Sequence, residues 1–449
     1  MAHGHGHAPD VSTEGQSGIR KGSTFIIGGL TSGHGVFHWF TRSFEVMLPE
    51  VRDAFGLTAA GAAAIPAVRE LVSGLVALPG GILTDVLRRY WGWVLAACMA
   101  AFGFGWLIIG ISPVYPVLLA GMALVALAAS LWHLPAMSAL SHHFSHHRGS
   151  ALSFHGVGGQ VGDAIAPFVT GFLLLTLAWQ QIISIYAVVP LLLTFLVFWA
   201  FRDIGRSAQQ ENVQPNLTGQ LVLTGRLFQN PRLMLITLIA GLRGMAFVAF
   251  IFSLSLYLND ELLLGPLERG IHMGVLVGIG IISTPIMGYL SDRLGRKTVL
   301  IPGMLFLGVM TVLFVLIGEG IWALIILALL GTFLFSDQPI LTAAALDIVG
   351  EGVAASTLGV LSFSRFVLAF LSPFAAGALY DFDSGLPFYY IAGLFGIATI
   401  LLLFLRLPKV EAAGHHGHDD QGHHQPDHDD HGHGDHGHGR QEHGHDHQH

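Results

Sequence analysis

The sequence is poor in charged residues and nearly devoid of cysteine. Asp, Glu, Lys and Arg make up only 11% of its 449 residues, whereas 52% are hydrophobic. Soluble domains carry about a quarter charged residues, so this composition excludes an ordinary water-soluble enzyme. The single cysteine, Cys98, excludes a disulfide framework and a metal site built from several thiolates. The bilayer is therefore the expected solvent for most of the chain.

The net charge of −8 is concentrated at the C-terminus. Eight acidic residues and one arginine lie between Ala412 and His449, so the rest of the chain is nearly neutral. This balance argues against a nucleic-acid-binding surface, and we expect no nucleic-acid partner. The chain also lacks a Gly-x-x-x-x-Gly-Lys-Ser/Thr loop and a nucleophile triad. We therefore expect neither an ATP-driven pump nor an enzyme.

Twelve runs of the sequence are long and apolar enough to cross a bilayer as helices, which takes about 20 residues each. We predict an all-α polytopic membrane protein, whose twelve transmembrane helices form two six-helix pseudo-repeats. The runs lie near 23–48, 58–83, 92–111, 114–141, 149–178, 180–201, 231–258, 267–290, 298–317, 320–347, 352–380 and 386–406.

A polar segment between the sixth and seventh runs divides the chain into two halves. We predict a His-bearing N-terminal segment (1–22), two six-helix bundles (23–201 and 231–406) joined by a linker (202–230), and a disordered His/Asp/Gly-rich tail (407–449). Lys and Arg favour the cytoplasmic side of a membrane. With the N-terminus inside, fourteen of them lie inside and two outside. Both termini are therefore predicted to be cytoplasmic, in a bacterial inner membrane.

The two halves repeat each other at a shift of about 207 residues. Gly81 to Asp85, after the second span, matches Gly288 to Asp292, after the eighth. Proline and glycine of the fifth span match those of the eleventh, as Pro167 with Pro373 and Gly171 with Gly377. Internal repeats are typical of transporters whose substrate site lies near the midplane between the repeats.

Twelve spans, a central linker and the loop from Gly288 to Lys297 resemble the major facilitator superfamily over roughly residues 23–406. The resemblance implies a gating motif whose cytoplasmic charges stabilise the outward-facing state. Its residues would be Gly81, Asp85, Gly288, Asp292, Arg293, Gly295, Arg296 and Lys297. The fifth span is also similar to the antiporter motif of exporters in this superfamily, through Gly162, Ala166, Pro167 and Gly171.

A narrower resemblance connects the chain with the fosmidomycin-resistance-like branch of the superfamily. It is carried by the run from Arg148 to Gly162, together with His38 and His133. Arg42 stands where that branch has an acidic residue. The resemblance implies efflux of a drug or small organic metabolite as one function to consider.

Ionisable residues inside the spans are costly at bilayer depth and should face the protein interior or a wet cavity. As pathway and proton-coupling candidates we take His34, His38, Arg42, Glu45, His133, His155, Asp163, Arg243, Asp337 and Arg365. The histidines could instead only hold helices together, and Arg42 with Glu45, three residues apart, predicts an ion pair. The second-half arginines could bind an anionic substrate or neutralise a carboxylate. Adjacent Arg69 and Glu70 are expected to point in different directions and to need separate partners.

Histidines also cluster outside the spans. Fourteen lie in the last 38 residues, and four lie between the fourth and fifth spans, spaced i, i+4 as two pairs that could chelate a metal on a helix. The candidate ligands are His142, His143, His146, His147, His415, His416, His418, His423, His424, His428, His431 and His433. Such a tail resembles those of nickel- and cobalt-resistance exporters of the superfamily. It could also only buffer or sense metal.

Together these features predict a secondary active transporter, a proton-coupled exporter whose leading cargo is divalent nickel, cobalt or zinc. Drug or metabolite efflux by proton antiport is the first alternative, and a non-transporting membrane metal sensor is the second. Apart from metal bound by the histidine clusters, no cofactor is required. The expected partners are the lipid bilayer, the cargo and protons, and the chain is expected to be a monomer.

Overall fold

The computed structural model describes residues 19–206, 225–349 and 354–407, and all regular structure in these ranges is helical. The predicted tail from residue 408 onward, the N-terminal segment up to residue 18, linker residues 207–224 and residues 350–353 lie outside the described residues. The main α-helices are α1 (Ser23–Ala54), α2 (Ala59–Ala62), α3 (Ala64–Val86), α4 (Trp91–Gly110), α5 (Tyr115–His143), α6 (Arg148–Leu173), α7 (Trp179–Phe201), α8 (Pro231–Asp260), α9 (Pro266–Leu294), α10 (Arg296–Ile317), α11 (Ile321–Leu334), α12 (Asp337–Val349), α13 (Ala354–Ala369), α14 (Ser372–Phe382) and α15 (Leu386–Phe404).

Ten helical segments of the described chain are long and apolar enough to span a membrane. This confirms the predicted all-helical membrane class. α1 and α6 are not among the ten, although their 32 and 26 residues are sufficient in length. These are the helices that carry most of the predicted ionisable pathway residues, which lowers their hydropathy. The count of twelve spans therefore stays a prediction.

Two predicted spans of the second half are each broken into two helices. The run 320–347 is interrupted between Leu334 and Asp337, and the run 352–380 between Ala369 and Ser372. The second break directly precedes Pro373, whose ring cannot donate a backbone hydrogen bond and is tolerated in the first turn of a helix. In membrane proteins, broken helices of this kind occur where the backbone is covered by protein or lines a cavity.

Helices pack on one another both within and between the two halves of the sequence. In the first half α1 packs on α6, and α4 on α5 and α7. In the second half α8 packs on α13 and α15, α9 on α11, and α10 on α15. The halves contact each other through α6 against α9, α3 against α13, and α2 against α14. The helices of the predicted repeat thus provide these contacts between the first and second halves of the sequence.

Glycines allow the halves to approach closely at two of these contacts. A Cβ atom on Gly171 of α6 would lie 2.5 Å from the carbonyl oxygen of Pro266, and one on Gly270 of α9 would lie 2.4 Å from that of Pro167. At the other contact, a Cβ on Gly377 would lie 2.8 Å from the carbonyl oxygen of Ala59. Gly171 and Gly377 are partners in the sequence repeat. Both members of this pair therefore serve the same purpose, close backbone contact between the halves.

Polar contacts join the halves at the end of the bundle where α1 terminates, which we call the closed end. Arg52 donates to both carboxylate oxygens of Asp260, with one N–O distance of 2.9 Å. Arg269 donates to Glu50. Asp381 accepts hydrogen bonds from the backbone amides of residues 59 and 60, at 2.7 and 3.0 Å. These contacts hold the closed end together in the described state.

The second-half gating motif bonds within its own half. Arg296 donates to Asp292 and, at 3.1 Å, to Asp347 of α12, and Lys297 donates to the carbonyl oxygens of Leu403 and Leu405 at 3.1 and 2.9 Å. Gly295 ends α9 with a positive φ of 95°, a conformation that favours glycine. Arg293 lies over the ring of Tyr289 at 4.7 Å. The side chain of Asp85, in the first-half copy, lies outside the described residues.

Replacing Gly270 by valine should destabilise the protein by about 1–3 kcal/mol, because the new side chain overlaps the backbone of α6. Gly278→Val is the matched control on the same helix, since a Cβ there meets nothing within 4 Å. Thermal unfolding of the detergent-purified protein measures the difference. Equal midpoints for the two variants would contradict this account of the contact.

Candidate transport site

Four histidines from three helices meet inside the first half. α1 contributes His34 and His38, α5 contributes His133, and α6 contributes His155. The His34 ring centroid lies 4.5 Å from that of His38, 4.7 Å from that of His133 and 4.2 Å from that of His155. His38 is the sixteenth of the 32 residues of α1, so the cluster lies midway along a spanning helix. The structure therefore brings together all four first-half histidines that the sequence placed in the spans.

Three of these rings each have one nitrogen in a hydrogen bond to an oxygen. Nδ1 of His34 lies 2.7 Å from the carbonyl oxygen of His155, and Nδ1 of His133 lies 2.6 Å from that of Ala129. Nδ1 of His38 lies 3.0 Å from Oδ2 of Asp163. One ring nitrogen from each of these three histidines lies within 4.8 Å of the other two. We call His34, His38 and His133 the three-imidazole cluster.

Glycines on α6 make this cluster possible. A Cβ on Gly158 would lie 2.1 Å from the carbonyl oxygen of Thr31, and one on Gly162 would lie 2.4 Å from that of Gly35, so α1 and α6 are in backbone contact. A Cβ on Gly159 would lie 2.8 Å from a carbon of the His34 ring. Gly162 of the antiporter-like motif thus contributes to helix packing beside the histidines.

A chain of charged groups continues from the cluster. Asp163 bonds His38 through Oδ2 and accepts from Nε of Arg42 through Oδ1 at 2.9 Å. Arg42 also donates to Glu45 at 2.8 Å, which confirms the predicted ion pair. Arg69 lies 3.5 Å from the other oxygen of Glu45. Each group therefore has an opposite charge or a hydrogen-bond partner beside it.

The expectation for Arg69 and Glu70 was wrong. A nitrogen of the Arg69 guanidinium donates to Glu70 at 3.2 Å. Although adjacent side chains leave a helix in different directions, the guanidinium stem is long enough to turn back towards the neighbouring carboxylate. Glu70 is buried, so this contact compensates its charge.

The second half contributes a buried ion pair at the break between α11 and α12. Nε of Arg243 donates to Oδ1 of Asp337 at 2.7 Å, and a second nitrogen donates to the carbonyl oxygen of Leu334. The Arg243 residue is 3% exposed and Asp337 is not exposed. Of the two roles open to Arg243 from the sequence, the structure shows neutralisation of this carboxylate. The guanidinium also satisfies a carbonyl at the broken end of α11.

Aromatic rings connect the charges of the two halves. The ring of Phe247 lies 4.7 Å from the Arg243 guanidinium and 6.0 Å from that of Arg42, and Phe335 lies 5.5 Å from Arg42. Arg365 stacks on Phe366 at 4.2 Å and makes no hydrogen bond or ion pair with the described residues. Phe247 and Gly159 were not predicted. Helical spacing could have identified both, since Phe247 follows Arg243 by four residues and Gly159 lies four from both His155 and Asp163.

The histidines outside the spans are arranged differently from the prediction. α5 ends at His143, and the chain continues as a 3-10 turn over Ser145–His147. The i, i+4 pairs therefore do not lie along one continuous α-helix, because the helix ends between their members. The side chain of His146 and all the predicted tail ligands lie outside the described residues. Metal binding by these histidines stays a prediction.

The sequence profile of the Major Facilitator Superfamily (MFS) matches residues 30–373. The chain belongs to this superfamily. It is 23% identical over 380 residues to an uncharacterized MFS-type transporter of Bacillus subtilis (strain 168), YfnC, covering 83% of this chain and 91% of that relative. Multidrug resistance protein 1 of the same organism is 34% identical over 131 residues, which cover 29% of this chain and 33% of that protein.

Solved structures share the fold. The nucleoside transporter NupG superimposes with a TM-score of 0.69 at 13% identity, covering 85% of this chain and 98% of that one. A bacterial homolog to the human lysosomal transporter Spinster, in its inward-facing and unoccupied conformation, gives 0.65 at 14% identity, over 87% and 95% of the two chains. The chain is thus a multi-pass membrane transporter of the MFS type.

Replacing Asp337 by alanine should destabilise the protein by about 3–5 kcal/mol, because Arg243 is left as an uncompensated buried charge. The double variant Arg243→Met with Asp337→Leu removes both charges and should recover most of this loss. Thermal unfolding in detergent measures both variants. If the double variant is no more stable than Asp337→Ala, loss of charge compensation is not the cause.

Proposed function

We propose that this transporter exports a divalent transition metal, with nickel, cobalt and zinc as leading cargoes, in exchange for protons entering the cell. The single observation that carries the proposal is the three-imidazole cluster, with ring nitrogens within 4.8 Å of one another midway along α1. Imidazole nitrogens are preferred ligands of these metals. Ionisable groups at such a depth are expensive to bury and are found on substrate and proton pathways.

The surroundings of the cluster support proton coupling. Arg42, Arg69, Arg243 and Arg365 are matched in number by Glu45, Glu70, Asp163 and Asp337. In this proposal the histidines are the groups that bind and release the coupled protons, a role that imidazole commonly serves. Asp163 connects the cluster to Arg42, and Arg42 reaches the second half through Phe247 and Phe335. A change of charge at the histidines can thus act on the contact between the halves.

Alternating access would follow from rocking of the two six-helix halves about this site. The described state has the closed end joined by Arg52, Asp260 and Asp381. We take both termini to be cytoplasmic, because most Lys and Arg residues of the loops lie on that side of the predicted topology and positive residues favour the cytoplasm. The closed end is then periplasmic. The His-rich tail and the histidines after α5 would then gather metal at the cytoplasmic entrance.

Drug or organic metabolite efflux is a second candidate, and two observations favour it. One stretch of the chain is 34% identical to Multidrug resistance protein 1 of Bacillus subtilis. A cleft of about 540 Å³ also lies between α1, α6 and α7, lined mainly by apolar residues such as Val36, Trp39 and Val161. A hydrophobic compound would suit this cleft better than a metal ion, whereas the cluster favours the metal.

Proteoliposomes containing the full chain should move Ni²⁺, Co²⁺ or Zn²⁺ against its gradient when a proton gradient is imposed, and collapse of the proton gradient should stop the movement. Flux is measured with a metal-sensitive dye trapped in the vesicles. His38→Ala should abolish this flux, because it removes the imidazole that links the cluster to Asp163. His272→Ala, near the start of α9 and outside the cluster, is the control and should transport normally.

Other outcomes of the same assay identify the alternatives. Tail-dependent metal binding without gradient-driven flux would indicate a sensor. Proton-driven movement of an organic cation or dye, with no metal flux, would indicate drug efflux. In cells, metal tolerance and metal content unchanged by expression of the full chain, together with raised drug tolerance, would also reject metal export.

A further inference from the structure

We infer that the three-imidazole cluster binds the metal through the Nε2 atoms of His34, His38 and His133, that Asp163 is a positioning residue for this site, and that His155 is not a ligand. The inference depends on the proposed function only where it describes the bound ion as the transported cargo. The binding site itself follows from the geometry of four side chains, and it can be tested by binding alone.

Hydrogen bonding determines which nitrogens are available. The Nδ1 atoms of His34 and His133 face backbone carbonyl oxygens, and that of His38 faces a carboxylate oxygen. A carbonyl or carboxylate oxygen only accepts, so Nδ1 must carry the proton in all three rings. In a neutral imidazole this leaves the lone pair on Nε2. The cluster thus presents three imidazoles in the one tautomer that allows Nε2 to bind a metal.

Ring orientation separates the three ligands from His155. The His34 ring is nearly perpendicular to those of His38 and His133, with interplanar angles of 84° and 85°. His155 instead stacks on His34 at 7° and 4.2 Å. Nitrogen lone pairs lie in the plane of the ring, so those of two stacked rings run in parallel planes and do not meet. One ion therefore cannot be bound in plane by both His34 and His155.

Both carboxylate oxygens of Asp163 already have hydrogen-bond partners. Its Oδ2 accepts from His38 and its Oδ1 accepts from Arg42. A carboxylate that holds the second nitrogen of a ligand histidine fixes the tautomer and direction of the ring. Asp163 would then contact the ligand His38 and not the metal itself, and all protein ligands of the site would be nitrogen atoms. Such a set favours zinc, nickel or cobalt over magnesium and calcium, which prefer oxygen.

The separations within the cluster suit an ion after a small adjustment. Metal–nitrogen bonds of about 2.0–2.1 Å in tetrahedral geometry place two nitrogens roughly 3.4 Å apart. One nitrogen from each ring lies within 4.8 Å of one nitrogen of the other two, and ring movements of about 1 Å bring three nitrogens to the metal-binding separation. Three protein ligands leave the fourth position for water, as in metal sites that exchange their ligands. An open position suits a site that must release its ion.

Cobalt absorption in the purified full chain tests this assignment. Four-coordinate Co²⁺ absorbs visible light strongly, whereas six-coordinate Co²⁺ absorbs weakly, so the band reports the geometry of the site. Every variant keeps the same His-rich tail, so the tail contributes equally to every spectrum, and the change between the unsubstituted chain and a variant reports the cluster. The band should also be displaced by Zn²⁺ and resist excess Mg²⁺.

The paired variants His38→Phe and His155→Phe give the decisive comparison. Both keep an aromatic ring in place and remove two nitrogens. His38→Phe should lose the four-coordinate band, as should His34→Phe and His133→Phe, whereas His155→Phe should retain it. Asp163→Asn should keep the band but weaken Co²⁺ binding roughly 10–100-fold, as expected of a positioning residue. Arg42 keeps Glu45 as a partner in this variant, and an unchanged elution profile confirms folding.

Two results would overturn the assignment. One is a band that survives His38→Phe and His133→Phe in folded protein, and the other is a band lost in His155→Phe. Failure of the proposed function looks different. An intact band that responds to the variants as expected, with no metal flux in proteoliposomes, would keep the binding site and reject metal export. Metal flux without the band would keep export and reject this site.

Discussion

The pairing of α1 with α6 is the constraint on which the rest of the first half depends. Each helix carries ionisable groups that would cost roughly 2.5–3.5 kcal/mol per charged residue at the centre of a bilayer. Packed together, they place Asp163 between His38 and Arg42 and allow His155 to stack on His34. Neither helix satisfies all of these groups alone, because Asp163 of α6 has its partners His38 and Arg42 on α1. The polar network and the helix pair therefore stabilise each other.

Glycine makes that pairing possible and also brings the halves together. Gly158 and Gly162 bring α6 into backbone contact with α1, while Gly171, further along the same helix, meets α9 of the second half. α6 thus contacts both α1 in its own half and α9 in the second half. Movement of α6 during transport would therefore change both contacts together.

Much of the fold could be predicted from the sequence. Apolar runs of about 20 residues identify most of the helices, since length and hydropathy are local properties. The breaks before Asp337 and Ser372 were missed, because both interrupt apolar runs. At the first break Arg243 donates to the carbonyl oxygen of Leu334, and a backbone partner of this kind leaves no signal in the sequence. The histidine pairs after α5 were placed on a helix that ends at His143, since their spacing alone does not show where the helix stops.

The sequence by itself determined the membrane class, because composition and hydropathy are properties of the chain, and it predicted the repeated halves and the ionisable residues of the spans from their spacing. It also predicted the ion pair of Arg42 with Glu45, which lie on neighbouring turns of one helix. Only the tertiary structure decided which charges meet across helices, such as Asp163 with His38 and Arg243 with Asp337. It also separated three imidazoles of one cluster from the stacked His155, because ring orientation depends on contacts between helices far apart in the chain.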